Sequence, residues 1–169
     1  IVICDNGSTD GSLDTLRGWL DGVHQPTVPE NNVLKELVQG GMVPSDSYWT
    51  TRTALESGIS HATDSSLVVI DNEANLGFAA GNNVGIRYAI DQADMSHVWL
   101  LNNDTLVDPD ALAALVRREQ SSGACVVGSL LKFFDDPSVI QAVGGNAYNK
   151  FTGIASGSLG RYLPDTTEI

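Results

Sequence analysis

Three short clusters of carboxylate and amide side chains are the residues of this sequence best suited to chemistry. The clusters are Asp5-Asn6, Asp71-Asn72 with Asn75, and Asn102-Asn103-Asp104. The oxygens of such side chains can hold a divalent cation, and the same groups can recognise hydrogen-bond donors on a base or a sugar. Any one cluster is also what an ordinary turn contains, because Asp and Asn are common turn residues. Three clusters in equivalent positions favour a shared binding site.

Continuous apolar runs precede the three clusters and predict the strands that would position them. The runs are IVIC (residues 1–4), SLVVID (66–71) and HVWLL (97–101), and ACVVGSLL (124–131) predicts a fourth strand. Short apolar runs rich in β-branched residues are typical of parallel strands that are buried on both faces. Ligands of such sheets bind at the carboxyl ends of the strands, so we expect the polar clusters to meet there.

Helical patterns follow the strands. Three sets of apolar residues recur at helical spacing: Leu13, Leu16 and Leu20; Ile86, Ala89, Ile90 and Ala93; and Leu112, Leu115 and Val116. Ser12 and Asp108 are the predicted N-caps of the first and third helices, and Gly123 is the predicted end of the third. The alternation of strand and helix predicts an α/β fold, a mostly parallel twisted sheet with helices on both faces.

We predict one domain over residues 1–169, with an excursion at residues 25–65 between the first helix and the second strand. The excursion is rich in proline and glycine and contains one pattern for a short helix, at residues 32–38. A connection of that length is uncommon without a role of its own. The Gly-rich tail after Pro137 predicts irregular hairpins.

Composition restricts the partners of the chain. The 169 residues carry a formal net charge of −12, with only 9 Lys and Arg. Nucleic acid and anionic membranes are therefore excluded as nonspecific partners, whereas a small phosphate ligand is compatible because a cation or backbone amides can carry its charge. No apolar run approaches the ~20 residues of a transmembrane helix. Cys4 and Cys125 lie in apolar runs and are predicted to be buried free thiols, so we expect a cytoplasmic protein, either free or peripheral to the inner membrane face.

Three motifs in this order resemble glycosyltransferase family 2, especially its bacterial rhamnosyltransferase-like members. They are IVICDNGSTDGS at residues 1–12, NLGFAAGNNVGIRYA at 75–89 and WLLNNDTLVDPDAL at 99–112. The resemblance implies a GT-A fold and inverting transfer of a sugar to a glycan or lipid-linked acceptor in polysaccharide biosynthesis. It implies a nucleotide diphosphate sugar as donor, UDP- or dTDP-linked, with a dTDP-deoxysugar as the more specific expectation.

The resemblance also implies roles for individual residues. Asp5 and Asn6 match the acidic pair that contacts the pyrimidine base. The family segment that lines the nucleotide pocket is matched by four residues: Asn75, Gly77, Gly81 and Asn83.

Asn102-Asn103-Asp104 stands where the family has its Asp-x-Asp signature. The resemblance implies that Asn103 and Asp104 bind the donor and that Asp104 binds Mg²⁺ or Mn²⁺. The first Asp of the signature is Asn102 here, which leaves one carboxylate to hold a hydrated cation together with the diphosphate.

Two other family segments fall outside the sequence: an opening strand ending in Tyr-Asn before Ile1, and a Glu-Asp segment carrying the general base after Ile169. We therefore expect an internal fragment of a longer enzyme, with no catalytic base in the chain and no transferase activity of its own. Two alternatives remain open. One is a non-catalytic nucleotide-sugar-binding module, and the other is a sugar-nucleotide nucleotidyltransferase, although residues 5–12 lack the Arg and Lys that the latter needs.

Overall fold

A computed structural model describes residues 1–30, 32–39, 43–59, 64–92, 95–143, 146–158 and 162–164. The chain divides into two compact units, Ile1–Leu106 and Val107–Ile169. The first unit contains β1 (Val2–Asp5), α1 (Ser12–Leu20), α2 (Asn32–Gln39), β2 (Ser47–Thr51), α3 (Arg52–Glu56), β3 (Leu67–Asp71) and α4 (Gly77–Ile90). None of the helices in the described ranges has the length and apolar character needed to cross a membrane.

The first unit is built on a three-stranded parallel sheet in the order β1-β3-β2, flanked by helices. The central strand β3 is apolar and its first four side chains are buried, which accounts for its pairing on both edges. The register sets Asp5 and Thr51 opposite Asp71, so the three strands end together. The strands predicted at residues 1–4 and 66–71 are confirmed, as is their parallel arrangement.

Helix α4 packs against β1 through a stripe that contains two glycines. Its buried residues are Gly81, Val84, Gly85, Tyr88 and Ala89. A Cβ at Gly85 would lie 2.5 Å from Sγ of Cys4, so only glycine permits this approach. Burial raises the pKa of the Cys4 thiol.

The inward face predicted for this helix is therefore only partly correct. Ala89 is buried and Ile86 is half-buried, but Ile90 is 65% exposed, and Ala93 lies outside the described residues. The glycine stripe faces the strand, which rotates Ile90 outward. The Gly-rich connection predicted over residues 75–82 is also shorter than expected, because α4 begins at Gly77.

The excursion at residues 25–65 is partly regular. Helix α2 confirms the short helix predicted there, whereas β2 and α3 were not predicted. The sequence SYWTT of β2 lacks apolar continuity, and it forms a strand because β3 offers it a free edge. The guanidinium of Arg17 on α1 lies 4.5 Å from the centre of the Trp49 ring on β2, a cation–π contact that ties the excursion to the rest of the unit.

Helix α1 begins differently from the prediction. Ser12 is its first residue and the N-cap is Gly11, with φ 83°. The side chain of Asp10 accepts hydrogen bonds from the Ser12 N–H (3.1 Å) and the Ser12 hydroxyl. These bonds hold the pKa of Asp10 below its ordinary value.

Residues 97–101 do not form the predicted third strand. They run as an irregular segment in which Leu100 and Leu101 are each 51% exposed. A buried strand must pair its backbone N–H and C=O groups with a neighbour, and in the described ranges this segment has no such strand partner. An apolar run predicts burial only where a sheet edge is available to receive it.

The second unit contains α5 (Ala111–Ser122), β4 (Leu130–Lys132), β5 (Ile140–Val143), β6 (Asn146–Asn149) and β7 (Ile154–Ser158). The β4-β5 and β6-β7 pairs are antiparallel, and the β6-β7 pair confirms a hairpin in the tail after Pro137. The strand predicted at residues 124–131 is wrong over most of its length, since only its end enters β4. Cys125 is a free thiol but is exposed rather than buried.

Helix α5 ends as predicted at Gly123, which adopts a left-handed conformation with φ 64°. Its start is two residues later than predicted: Oδ1 of Asp108 accepts the Asp110 N–H at 2.8 Å, and Asp110 is the N-cap. The predicted inward residue Leu112 is 53% exposed, while Leu115 and Val116 are half-buried. None of the residues of this helix is fully buried.

Candidate functional site

The carboxylate of Asp5 organises the turn that follows β1. Asp5 is 8% exposed, and its Oδ2 accepts the N–H groups of Gly7 (3.1 Å) and Ser8 (3.0 Å). In the described part of the chain, both donors go to Oδ2 and none to Oδ1. The turn is thereby fixed by one carboxylate oxygen, and the second oxygen is left for another donor.

Asn6 connects this turn to the segment after β3. Its Oδ1 accepts the Leu76 N–H at 3.1 Å, and its Nδ2 donates to Oδ1 of Asn75 (3.1 Å) and to the Gly77 carbonyl (3.3 Å). The Asn75 Oδ1 also accepts the Gly77 N–H at 2.9 Å. The Asn6 amide therefore joins the turn after β1 to the segment after β3. These are the two segments that the family resemblance assigns to the nucleotide pocket.

Two glycines make this junction sterically possible. A Cβ at Gly7, whose φ is 77°, would lie 2.7 Å from the carbonyl carbon of Ala74, so the two backbones are in direct contact. A Cβ at Gly81 would lie 2.7 Å from Oδ1 of Asn6. The start of α4 therefore packs directly against the Asn6 side chain.

Asn72 is the polar residue most deeply buried at the junction, with 0% exposure. Its Nδ2 donates to Oδ1 of Asn6 (3.4 Å) and to the Gly81 carbonyl (3.3 Å). Its own Oδ1 has no hydrogen-bond partner among the described residues. The sequence grouped Asn72 with Asp71 and Asn75 but did not name it as a site residue, and the signal was its place directly after a buried strand.

Two other predicted parts of the site make no hydrogen bond to this network among the described residues. Asn83 is exposed on α4, on the side opposite the buried stripe. Asn103 and Asp104 are exposed in a turn, where the Thr105 hydroxyl donates to the Asn102 carbonyl at 2.6 Å. Within the described ranges, no hydrogen bond joins either part to Asn6.

A metal site cannot be recognised from protein ligands alone. No group of three or more His, Cys, Asp or Glu side chains that could hold a metal ion occurs among the residues that the structure describes. A single exposed carboxylate such as that of Asp104 fits Mg²⁺ only in a hydrated form, with a phosphate ligand completing the coordination. The donor set is compatible with a cation that arrives with its nucleotide.

The ends of β1 and β3 carry a preformed polar network. It offers the second carboxylate oxygen of Asp5, amide groups fixed in orientation by several hydrogen bonds, and open space beside Gly77. Such groups recognise the polar edge of a base or sugar without reorganisation.

Comparison with known proteins shows the family to which the chain belongs. Residues 46–160, more than half of the chain, match the family described as glycosyl transferase family 2. The chain belongs to glycosyl transferase family 2. The matched region contains every predicted site residue from Asn75 to Asp104, whereas Asp5 and Asn6 precede it.

A curated relative is similar over most of the sequence. The low-salt glycan biosynthesis hexosyltransferase Agl10 of Haloferax volcanii is 33% identical over 126 residues, which cover 75% of this chain and 34% of that protein. This family 2 chain therefore spans about a third of the length of the curated relative it matches. No solved structure matches it.

Proposed function

We propose that this family 2 chain is the donor-binding part of an inverting glycosyltransferase with a GT-A fold. The donor is a nucleotide diphosphate sugar, UDP- or dTDP-linked, and the acceptor is a glycan or lipid-linked hydroxyl. Membership of glycosyl transferase family 2 supports the reaction class. The relative's role in glycan biosynthesis supports the acceptor class.

The observation that carries the proposal is the junction at Asn6. Its side chain is held by Asn72, Asn75 and Leu76 at the carboxyl ends of two parallel strands, where ligands of α/β sheets bind. The carboxylate of Asp5 beside it can accept the imide N–H of uracil or thymine, whereas neutral adenine has no ring N–H on its base-pairing edge. Selectivity for pyrimidine over adenine nucleotides follows.

The remaining predicted residues complete the donor site in this proposal. Gly77, where a Cβ would meet nothing within 4 Å, admits the nucleotide to the backbone, and Gly81 makes room for the Asn6 side chain. Asn83 and Asn103 bind the sugar and phosphate groups of the nucleotide. Asp104 would hold Mg²⁺ or Mn²⁺ through one carboxylate oxygen. When bound, the cation neutralises the charge that develops on the diphosphate.

The bond changes are those of a displacement with inversion. The acceptor oxygen forms a bond to the anomeric carbon while the bond from that carbon to the diphosphate oxygen breaks, and the diphosphate leaves on the opposite face. The acceptor proton passes to a base that we do not assign to any residue of this chain. The chain's own contribution is to orient the donor and exclude competing bases.

Titration calorimetry with UDP and dTDP, with and without Mn²⁺, tests this proposal. We expect both diphosphates to bind in a Mn²⁺-dependent manner, and ADP to bind at least about tenfold more weakly because each unmatched polar group costs ~1–3 kcal/mol. Asp104→Asn should abolish the effect of Mn²⁺.

The other outcomes distinguish the alternatives. Equal or tighter binding of UTP and dTTP with sugar phosphates would favour a nucleotidyltransferase. Donor binding by the intact parent enzyme without sugar transfer to any acceptor would favour a non-catalytic module. Equal affinity for ADP and the pyrimidine diphosphates would contradict the role given to Asp5.

A further inference from the structure

Two carboxylates join β2 to β3, one at each end of the strand pair. Asp46 accepts the Ser66 N–H (3.1 Å) and the Ser66 hydroxyl (2.7 Å) where the strands begin. Glu73 accepts the Thr53 N–H (3.0 Å) and the Thr53 hydroxyl (2.5 Å) where they end. Each pair joins residues separated by 20 positions, and we call the two pairs the amino-end clamp and the carboxyl-end clamp.

Only the carboxyl-end clamp adjoins the candidate site. Glu73 lies in the turn of residues 72–76, between Asn72 and Asn75, both of which bind the Asn6 side chain. Its φ of 60° is in the left-handed region, which a residue other than glycine occupies only when its surroundings hold it there. The bonds to Thr53, together with a 2.7 Å bond from the Glu73 N–H to Oδ1 of Asp71, are the contacts that hold it.

A second contact from α3 reaches the same turn. Nε of Arg52 donates to the backbone carbonyl of Asn72 at 3.2 Å, and the Arg52 side chain is only 29% exposed. An ion pair with Glu56 one helical turn later, at 3.4 Å, fixes the guanidinium. Helix α3 therefore contacts the turn on its outer side through two residues, while Asn6 contacts its inner side.

We propose that α3 is a positioning element for the donor site, acting through the bonds of Thr53 and Arg52 to the turn of residues 72–76. This inference rests on the proposed function and deepens it, because it gives the β2–α3 part of the excursion a role in the affinity for the nucleotide. Glu73, Thr53 and Arg52 are positioning residues: they reach the ligand only through Asn72 and Asn75.

The physical effect is preorganisation. A turn that is held in its binding geometry loses no conformational freedom when the nucleotide arrives, whereas a released turn must be ordered by the ligand itself. The apparent affinity equals the intrinsic affinity multiplied by the fraction of molecules in which the turn has its binding geometry. Release of the turn should therefore weaken binding without altering any group that touches the ligand.

The two clamps provide a matched pair of variants. Glu73→Ala and Asp46→Ala each remove a carboxylate that accepts one N–H and one hydroxyl from the residue opposite it, and Asp46 also accepts the Ser45 hydroxyl at 3.3 Å. We expect both variants to lose thermal stability, but a weakening of UDP and dTDP binding by about threefold to tenfold only in Glu73→Ala, the range of a typical coupling between residues and a distant ligand. Asp46→Ala should keep the affinity of the unmodified chain.

A measurement independent of nucleotide separates this inference from the proposed function. The Leu76 N–H donates to Asn6 across the turn, so its hydrogen exchange reports whether the turn is held. We expect faster exchange in Glu73→Ala and in Thr53→Val, and unchanged exchange in Asp46→Ala. If the unmodified chain binds no nucleotide, the proposed function fails and this exchange pattern still tests the positioning role.

Glu73→Gly separates the carboxylate from the backbone conformation. Glycine adopts φ 60° without strain, so it removes the clamp and relieves the backbone together. We expect faster exchange at Leu76 and weaker binding despite that relief. Unchanged exchange at Leu76 in both Glu73→Ala and Glu73→Gly, or equal loss of affinity in Asp46→Ala, would overturn the inference.

Discussion

Asn6 uses both halves of its amide at once, and that is why no other residue type can replace it. Oδ1 accepts from Leu76 and Asn72, while Nδ2 donates to Asn75 and the Gly77 carbonyl. Aspartate keeps the shape but supplies acceptors only. The contacts of Asn6 with the segment after β3 therefore require asparagine at this position, whether or not a ligand is bound.

Asn6→Asp should destabilise the chain by about 1–3 kcal/mol, the range for a polar group left without its partner. The new oxygen would face Oδ1 of Asn75 at 3.1 Å and the Gly77 carbonyl at 3.3 Å. Urea denaturation measures the loss. Asn82→Asp is the control, because Asn82 donates a single bond, to the Phe78 carbonyl. Equal losses in the two variants would show that the junction is not stabilised by Asn6.

Gly81→Ala should also destabilise the chain, by about 1–3 kcal/mol, because the added methyl group overlaps Asn6. Helix propensity alone predicts the opposite sign, a gain near 1 kcal/mol. Gly18→Ala in α1 is the control. Its new Cβ would meet only the exposed His24 side chain, which can move. Thermal unfolding of both variants shows whether the steric overlap with Asn6 or the higher helix propensity of alanine dominates the change in stability.

At the scale of elements, the two clamps make the β2–β3 pair dependent on pH. Hydrogen bonds from Ser66 and from Thr53 lower the pKa values of Asp46 and Glu73, respectively, below their ordinary values. A carboxylate with a lower pKa in the folded state contributes stability above its unfolded pKa, about 4, and loses it as the pH falls through the folded value.

We therefore expect the unfolding temperature to fall below about pH 4, and the double variant Asp46→Asn, Glu73→Gln to lose part of that dependence. Calorimetric scans between pH 3 and 7, a range that spans these pKa values, measure it. Each single variant should remove part of the dependence of the unfolding temperature on pH. A double variant with an unaltered pH profile would show that other carboxylates, such as Asp10 and Asp136, govern the acid transition.

The elements that the sequence predicted correctly are those whose signals are local and whose partners are present. β1 and β3 are apolar and pair with each other, and α5 ends at the glycine that adopts the left-handed conformation. Residues 97–101 have the same apolar signal, but they lie outside the sheet. β2 has no strong signal and still forms a strand, since an edge of β3 accepts it.

The candidate site follows the same logic. The sequence predicted Asp5, Asn6, Asn75, Gly77 and Gly81 at one place, and the structure brings Asn6 into contact with the last three. Glu73 could not have been predicted, because its role depends on the unpredicted helix α3 and on a positive φ that no sequence pattern announces. The positions of Asn83 and Asp104 relative to a ligand stay predictions.

At the scale of the whole molecule, a net charge of −12 opposes any anionic ligand. Raising NaCl from 10 to 150 mM shortens the screening length from about 30 Å to about 8 Å. Metal-free UDP should therefore bind about two- to threefold more tightly at the higher salt, since the long-range repulsion is reduced. Titration at both salt concentrations tests this. Weaker binding at 150 mM would instead indicate a basic phosphate site.

The two thiols differ in a way that provides an experimental probe. Cys125 is exposed, while Cys4 lies under Gly85 and its pKa is raised by burial. Thiolate is the species that alkylating reagents attack, so maleimide should modify Cys125 rapidly and Cys4 only when α4 lifts from the sheet. Mass spectrometry of the two adducts over time would then report how often that helix opens.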